Sequence, residues 1–207
     1  MTPDDDRLDP RAAAALLAQT TDHARRSLDV SRPRLYVAWG MAWLVGLSVM
    51  WLSVRGQHPY RGPAGYSAAL LGVLIIVALA VTMEVVLRAT KGVQGHSVVQ
   101  GRMYGLSWTI GFAAFFVTDG AVAHYGASDQ VLGILGAAGP LLITSLMYVL
   151  GAALWLDWSM FAMGCWLALV TALGAWAGPV SVLAIEAFAG GGGFLLMACY
   201  LGYLRRR

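Results

Sequence analysis

From Ala68 to Val81 the chain reads AALLGVLIIVALAV, an unbroken apolar run inside a longer segment that extends over 66–87. A barrel strand in a membrane would be short and would alternate between apolar and polar residues. A continuous run must instead satisfy every backbone N–H and C=O within itself once water is excluded, and a helix does this. A crossing helix needs about 20 mostly apolar residues. The same reading carried outward in both directions finds six such segments, over 35–54, 66–87, 104–124, 131–156, 158–177 and 180–203. The expected fold class is therefore all-α: a polytopic six-helix transmembrane domain over 35–207, preceded by a cytoplasmic tail and short helix over 1–34.

Composition agrees. The chain is 58% hydrophobic and 12% charged, with mean hydropathy +0.66, whereas soluble domains carry about 25% charged residues. Of the Lys and Arg residues, all but Arg55 and Arg61 fall before the first segment (Arg7, Arg11, Arg25, Arg26, Arg32, Arg34), between the second and third (Arg88, Lys91, Arg102), or at the end (Arg205, Arg206, Arg207). By the positive-inside rule this bias sets both termini and the 88–103 loop in the cytoplasm. Such an arrangement requires an even number of spans, which the count of six meets independently. The implied location is a bacterial inner membrane. Tyr36, Trp39, Trp51, Tyr66, Tyr104, Tyr125, Trp155, Trp158, Trp176, Tyr200 and Tyr203 stand near the segment ends, where amphipathic rings favour the interface. A net charge of +3 with pI near 9.1 is then read as orientation and contact with anionic headgroups, and nucleic acid is not an expected partner.

Residues 1–9 are polar and acidic, with Asp4, Asp5 and Asp6 and no basic, apolar leader of the secretory kind. Asp9 and Pro10 suit an N-cap and first helical position, so a cytoplasmic helix is expected from Arg11 to about Asp29, lying on the inner leaflet or solvated. Pro33 is expected to separate it from the first span. The loop from Arg55 to Gly65, RGQHPYRGPAG, reads as a short ordered connection. Asp157 alone joins the fourth and fifth spans, and Gly178 with Pro179 joins the fifth and sixth.

Ionisable groups inside a bilayer are costly, about 2.5–3.5 kcal/mol at the centre, and mark functional candidates. Glu84 and Arg88 are four apart and form an expected structural ion pair on one helix face; Asp157 is interfacial. Asp119 and Glu186 occupy similar depth in the outer half of their spans, with His124 just beyond Asp119. If the third and sixth helices are neighbours, these three residues form a proton- or cation-binding cluster. The alternative is that each reaches separately to the outer interface. Gly190, Gly191, Gly192 and Gly193 fall near the midplane of the sixth span, where glycine permits either close packing or a break. Gly139 and Pro140 offer a comparable irregular centre in the fourth, with Thr144 and Ser145 able to satisfy freed carbonyls. Trp166 reads as packing. Cys165 and Cys199 show no metal-ligand spacing and read as small apolar fillers. The histidines are dispersed, so neither a metal nor another cofactor is expected.

Motifs of membrane enzymes are incomplete. The run Asp119-Gly120-Ala121-Val122-Ala123-His124, with Gly133 beyond it, partly resembles the signature of CDP-alcohol phosphatidyltransferases. That signature needs arginine where His124 stands and aspartates where Ala137 and Leu141 stand. Glu84 to Arg88 resembles the Glu-x-x-x-Arg of CAAX-type membrane proteases, but Met83 replaces the preceding glutamate. Nor is any HExxH, GxSxG or P-loop present. The chain is expected not to be an enzyme.

The N-terminal quarter is similar to small bacterial six-helix membrane proteins that open on a basic helix, here Arg25-Arg26-Ser27-Leu28, running into Ala38-Trp39-Gly40-Met41-Ala42-Trp43. That resemblance implies no catalytic residues. Two functions follow from the sequence: a small transporter or permease-like subunit with Asp119 and Glu186 on its path, or a membrane partner or sensor whose helix 11–29 and loop 88–103 recruit a cytoplasmic regulator or ATPase. The expected partners are the lipid bilayer and either a second copy or that cytoplasmic protein.

Overall fold

The computed structural model describes residues 10–89, 96–204 and 206, with side chains over 32–88, 98–204 and at 206. The acidic tail with Asp9, and Lys91, Arg205 and Arg207, lie outside the described residues, as do the side chains of the expected amphipathic helix.

The described chain is helical, and six of its helices are long and apolar enough to cross a membrane. They are α1 (Pro10–Val54), α2 (Gly65–Ala89), α3 (His96–His124), α4 (Asp129–Trp155), α5 (Trp158–Ala177) and α6 (Ser181–Leu204). The part of α1 long and apolar enough to cross is Arg32–Val54. Two boundaries differ from expectation. Pro33 does not end a helix, because α1 runs through it from Pro10. A proline removes one N–H and crowds the carbonyl four residues back, which bends a helix as readily as it ends one. α3 begins at His96, a turn or two before the apolar segment, since 96–103 is polar enough to escape a hydropathy reading yet contains nothing that stops a helix.

Short joints make neighbours antiparallel. Between α4 and α5, Leu156 adopts a left-handed conformation, φ 53°, and its N–H returns to the Ala152 carbonyl. Asp157 then caps α5, its Oδ1 accepting from the N–H groups of Ser159 and Met160. The same carboxylate accepts from Arg32 Nη1 at 2.9 Å, so the start of the first span is tied to the α4–α5 joint. At the opposite end of the bundle the 55–64 connection is knotted by Gln57, whose amide donates to the Ser53 and Gly62 carbonyls while its oxygen accepts from Arg61 N–H. Tyr60 in this strap is buried, and its ring occupies the space that a side chain on Gly133 of α4 would need.

α1, α4, α5 and α6 form the core, with α2 outside α1 and α3 outside α4. Leu141, Leu167, Val182 and Ala187 are wholly buried between them. Side-chain hydrogen bonds cross both outer contacts: for α2, Trp39 Nε1 to Thr82 Oγ1 at 3.0 Å and the Ser53 and Ser67 hydroxyls at 3.3 Å; for α3, Tyr104 Oη to the Met147 carbonyl at 2.8 Å and Gln100 Nε2 to the Leu154 carbonyl at 3.4 Å. α2 and α3 are the two helices least covered by the rest of the chain. α2 is also the most apolar of the six spans, whereas α3 is the least apolar.

Candidate functional site

α6 is the helix in which sequence and geometry depart most from the ordinary. It consists of α-helical Ser181–Ile185, a π turn over Glu186–Gly191, and α-helical Gly192–Leu204. Val182, Glu186, Gly190, Phe194 and Ala198, each four residues from the next, are all buried. In an uninterrupted α-helix each step of four drifts about 40° around the axis, so the fifth rung would lie about 160° from the first. The wider i→i+5 turn takes up part of that drift. Glycine is what lets a turn of this shape sit in the core. A Cβ on Gly191 would lie 2.6 Å from the backbone nitrogen of Leu44 and 3.0 Å from the Gly40 carbonyl oxygen of α1. A Cβ on Gly193 would lie 2.8 Å from Cδ1 of Trp166. The absence of that Cβ lets Trp166 Nε1 donate to the Ala189 carbonyl in the π turn at 2.9 Å. Trp166 therefore does more than fill space: it supplies a donor to a carbonyl whose helical pairing the π turn has altered.

Glu186 opens this turn. Its side chain is 0% exposed, and neither carboxyl oxygen has a hydrogen-bond partner among the described residues. Most other buried polar side chains are served. Thr144 and Thr171 donate to carbonyls four residues back, and Ser67 donates to the Ala64 carbonyl. The remaining buried atoms without a partner are Trp43 Nε1 on α1, Ser145 Oγ on α4 and Asp119 Oδ1 on α3. The π turn packs chiefly on α1, then on α5. No Asp, Glu, Lys or Arg lies within 35–54 of α1 or 158–177 of α5, so these helices bring no countercharge to Glu186 between their ends.

The structure does not bring Asp119 and His124 to Glu186. Gly139 of α4 receives the ring of Phe115 from α3, whereas Leu141 approaches Gly190 of α6. Residues two apart on a helix point about 200° apart, so α4 stands between α3 and α6. Asp119 and Glu186 look onto different faces of it, and His124 is exposed at the end of α3. Similar depth along two helices does not imply a shared face.

The other candidates fall as follows. α4 is α-helical through Gly139 and Pro140, Gly139 seats Phe115, and the Thr144 hydroxyl donates to the Pro140 carbonyl. Arg88 pairs with Glu84 on the outer face of α2. Cys165 and Cys199 are not core fillers, for both thiols are free on the outside of the bundle. An i, i+4 pattern does not distinguish the covered face of a span from the lipid face when both are apolar.

Two layers close off the Glu186 level. Toward Arg32, the rings of Tyr36, Tyr148 and Phe194 meet at centroid distances of 5.7–6.2 Å. Toward the 55–64 strap, Val182, Leu183, Val54 and Tyr60 are buried. Comparison with protein-family models, with curated proteins and with solved structures finds no match.

Proposed function

We propose that the protein is a small transporter or permease-like subunit of a cell membrane, with both termini cytoplasmic and Glu186 on its path. One observation carries this reading: a fully buried carboxyl group with both oxygens unpartnered among the described residues, placed at the first residue of a π turn in a span. A carboxylate kept only for structure would be expected to hold a donor, since burying a charge without one is among the most costly arrangements a fold can contain. π turns inside α-helices recur at functional sites. The layers above and below Glu186 make this an occluded arrangement, in which passage requires either the Tyr36, Tyr148 and Phe194 layer or the Val182 and Leu183 layer to part. Asp119 and His124, beyond α4, take no part in this path.

The test is a loss of transport phenotype in Glu186→Gln with membrane abundance unchanged. Wild-type activity in that variant would sink the reading.

The partner reading draws support from α3. It is the least apolar span and yet the one in which no described residue is fully buried by the rest of the chain. Gly101, Gly105 and Gly120 on it face open space. A protein neighbour in the membrane, a second copy included, would suit that face better than lipid does.

A further inference from the structure

We infer that Glu186 is a single-proton site, loaded and emptied through the π turn, so that the transport proposed above is coupled to protons. This rests on the reading of Glu186 as part of the path and names what it carries.

The argument begins with charge. Burying an ionised carboxylate with no hydrogen-bond donor is prohibitive in an apolar core, so the group must hold a positive charge or be neutral. The surroundings offer no fixed cation. On the apolar part of α1, Arg32–Val54, the charged groups are Arg32 and Arg34 at one end, with Arg55 just past the other; on α4, Asp129 lies in the first turn; α5 has none within 158–177. The other titratable groups on the packed helices are Tyr36 and Tyr148, which meet Phe194 about 12 Å along α6 from Glu186, and the outward thiols Cys165 and Cys199. Tyr200 and Tyr203, farther along α6, are exposed.

Chemistry then selects the occupant. Hard metal cations bind through several oxygen ligands at once, and the described residues contain no group of three or more His, Cys, Asp or Glu. One carboxyl group without neighbours suffices for a proton and for little else. The π turn supplies the means of access. Moving its extra residue past Glu186 would rotate the carboxyl by about one residue's angle, 100°, relative to the rest of α6. The glycines that follow make such a shift possible without side-chain clashes at Gly190 and Gly192, where added Cβ atoms would find ordinary contact or open space.

The sequence provides a direct test, because Glu84 and Glu186 are the two glutamates of the chain. The full-length protein, carrying carboxyl-13C glutamate and reconstituted in phosphatidylcholine vesicles, would be titrated by infrared difference spectroscopy. The expected result is one isotope-shifted carboxylic-acid C=O stretch from Glu186, lost as the pH rises, beside a carboxylate stretch from the Arg88-paired Glu84. The acid band should vanish in Glu186→Gln. Only carboxylate stretches at neutral pH would overturn the inference, and the labelled wild type decides this even if the variant fails to fold. Conversion of the acid band to carboxylate by sodium at fixed pH would also overturn it, in favour of an alkali cation. Proton flux into the same vesicles separates the two readings: an acid band without flux removes transport and leaves the proton site, while flux without the band removes the proton site.

Discussion

Alanine substitution along the run from Gly190 to Gly193 separates close packing from simple flexibility, because the four positions meet different surroundings. At Gly191 the added Cβ would lie 2.6 Å from Leu44 N and 2.9 Å from Leu44 Cα, about 0.8 Å inside the 3.4 Å at which ordinary contact begins. Those atoms are backbone, so no rotamer change relieves the clash, and α1 as a whole must shift. Overpacking of this kind costs about 1–3 kcal/mol, against a helix-propensity gain of about 1 kcal/mol for replacing glycine by alanine. Gly191→Ala should lose about 1–2 kcal/mol net, near the upper part of that cost. At Gly193 the neighbour is the Trp166 ring, which can move only by giving up its bond to Ala189, for a loss of about 0.5–1.5 kcal/mol. Gly190 has its nearest atoms at 3.8 and 3.9 Å, and Gly192 has none within 4 Å, so alanine there should be neutral or stabilising. The assay is unfolding of the purified protein in mixed micelles, followed by far-ultraviolet circular dichroism. Equal effects at all four positions, or Gly191→Ala as stable as Gly192→Ala, would refute the packing argument.

Two more outcomes follow from the ends of the bundle. Asp157→Asn retains a capping oxygen for α5 and loses the charge opposite Arg32, whereas Asp157→Ala loses both; the alanine variant should be less stable than the asparagine variant by about 0.5–2 kcal/mol, measured in the same unfolding assay, and equal stabilities would remove the capping role. The phenol of Tyr60 is held above its ordinary value of 10.0, first by burial and then by the negative charge of Asp129. A folded-state value above the unfolded one means that docking is fully supported below pH 10 and weakens as the pH rises from there through the folded value. Tryptic cleavage at exposed Arg61 should therefore accelerate above about pH 10 in wild type and much less in Tyr60→Phe; identical profiles would show that the strap is held by Gln57 alone.

The spans themselves were legible in the sequence because lipid demands long apolar helices, and hydropathy reports that demand directly. Their neighbours were not. Asp119 and Glu186 can be assigned a depth by counting residues, but the helix between them is set by side-chain fit such as Phe115 against Gly139, which no single segment encodes. Pro33 carries a local preference that continuation of α1 on both sides outweighs. The buried position of Glu186 is visible in retrospect in the four-residue spacing from Val182 to Ala198. The π turn is not, since four consecutive glycines are equally compatible with a break, a tight crossing or a bulge. The role of Trp166 followed from that turn and was hidden with it.

The contact between α1 and α6 also constrains how the chain is made. α1 leaves the ribosome well before α6, its principal core partner, and Arg32 meets Asp157 only after α4 has been synthesised. Until α6 arrives, the face of α1 that packs against it, with Gly40 and Leu44 set against Gly191, has only lipid or insertion machinery to cover it. This part of the core is thus closed by α6, and the polar group it carries becomes enclosed at the same moment.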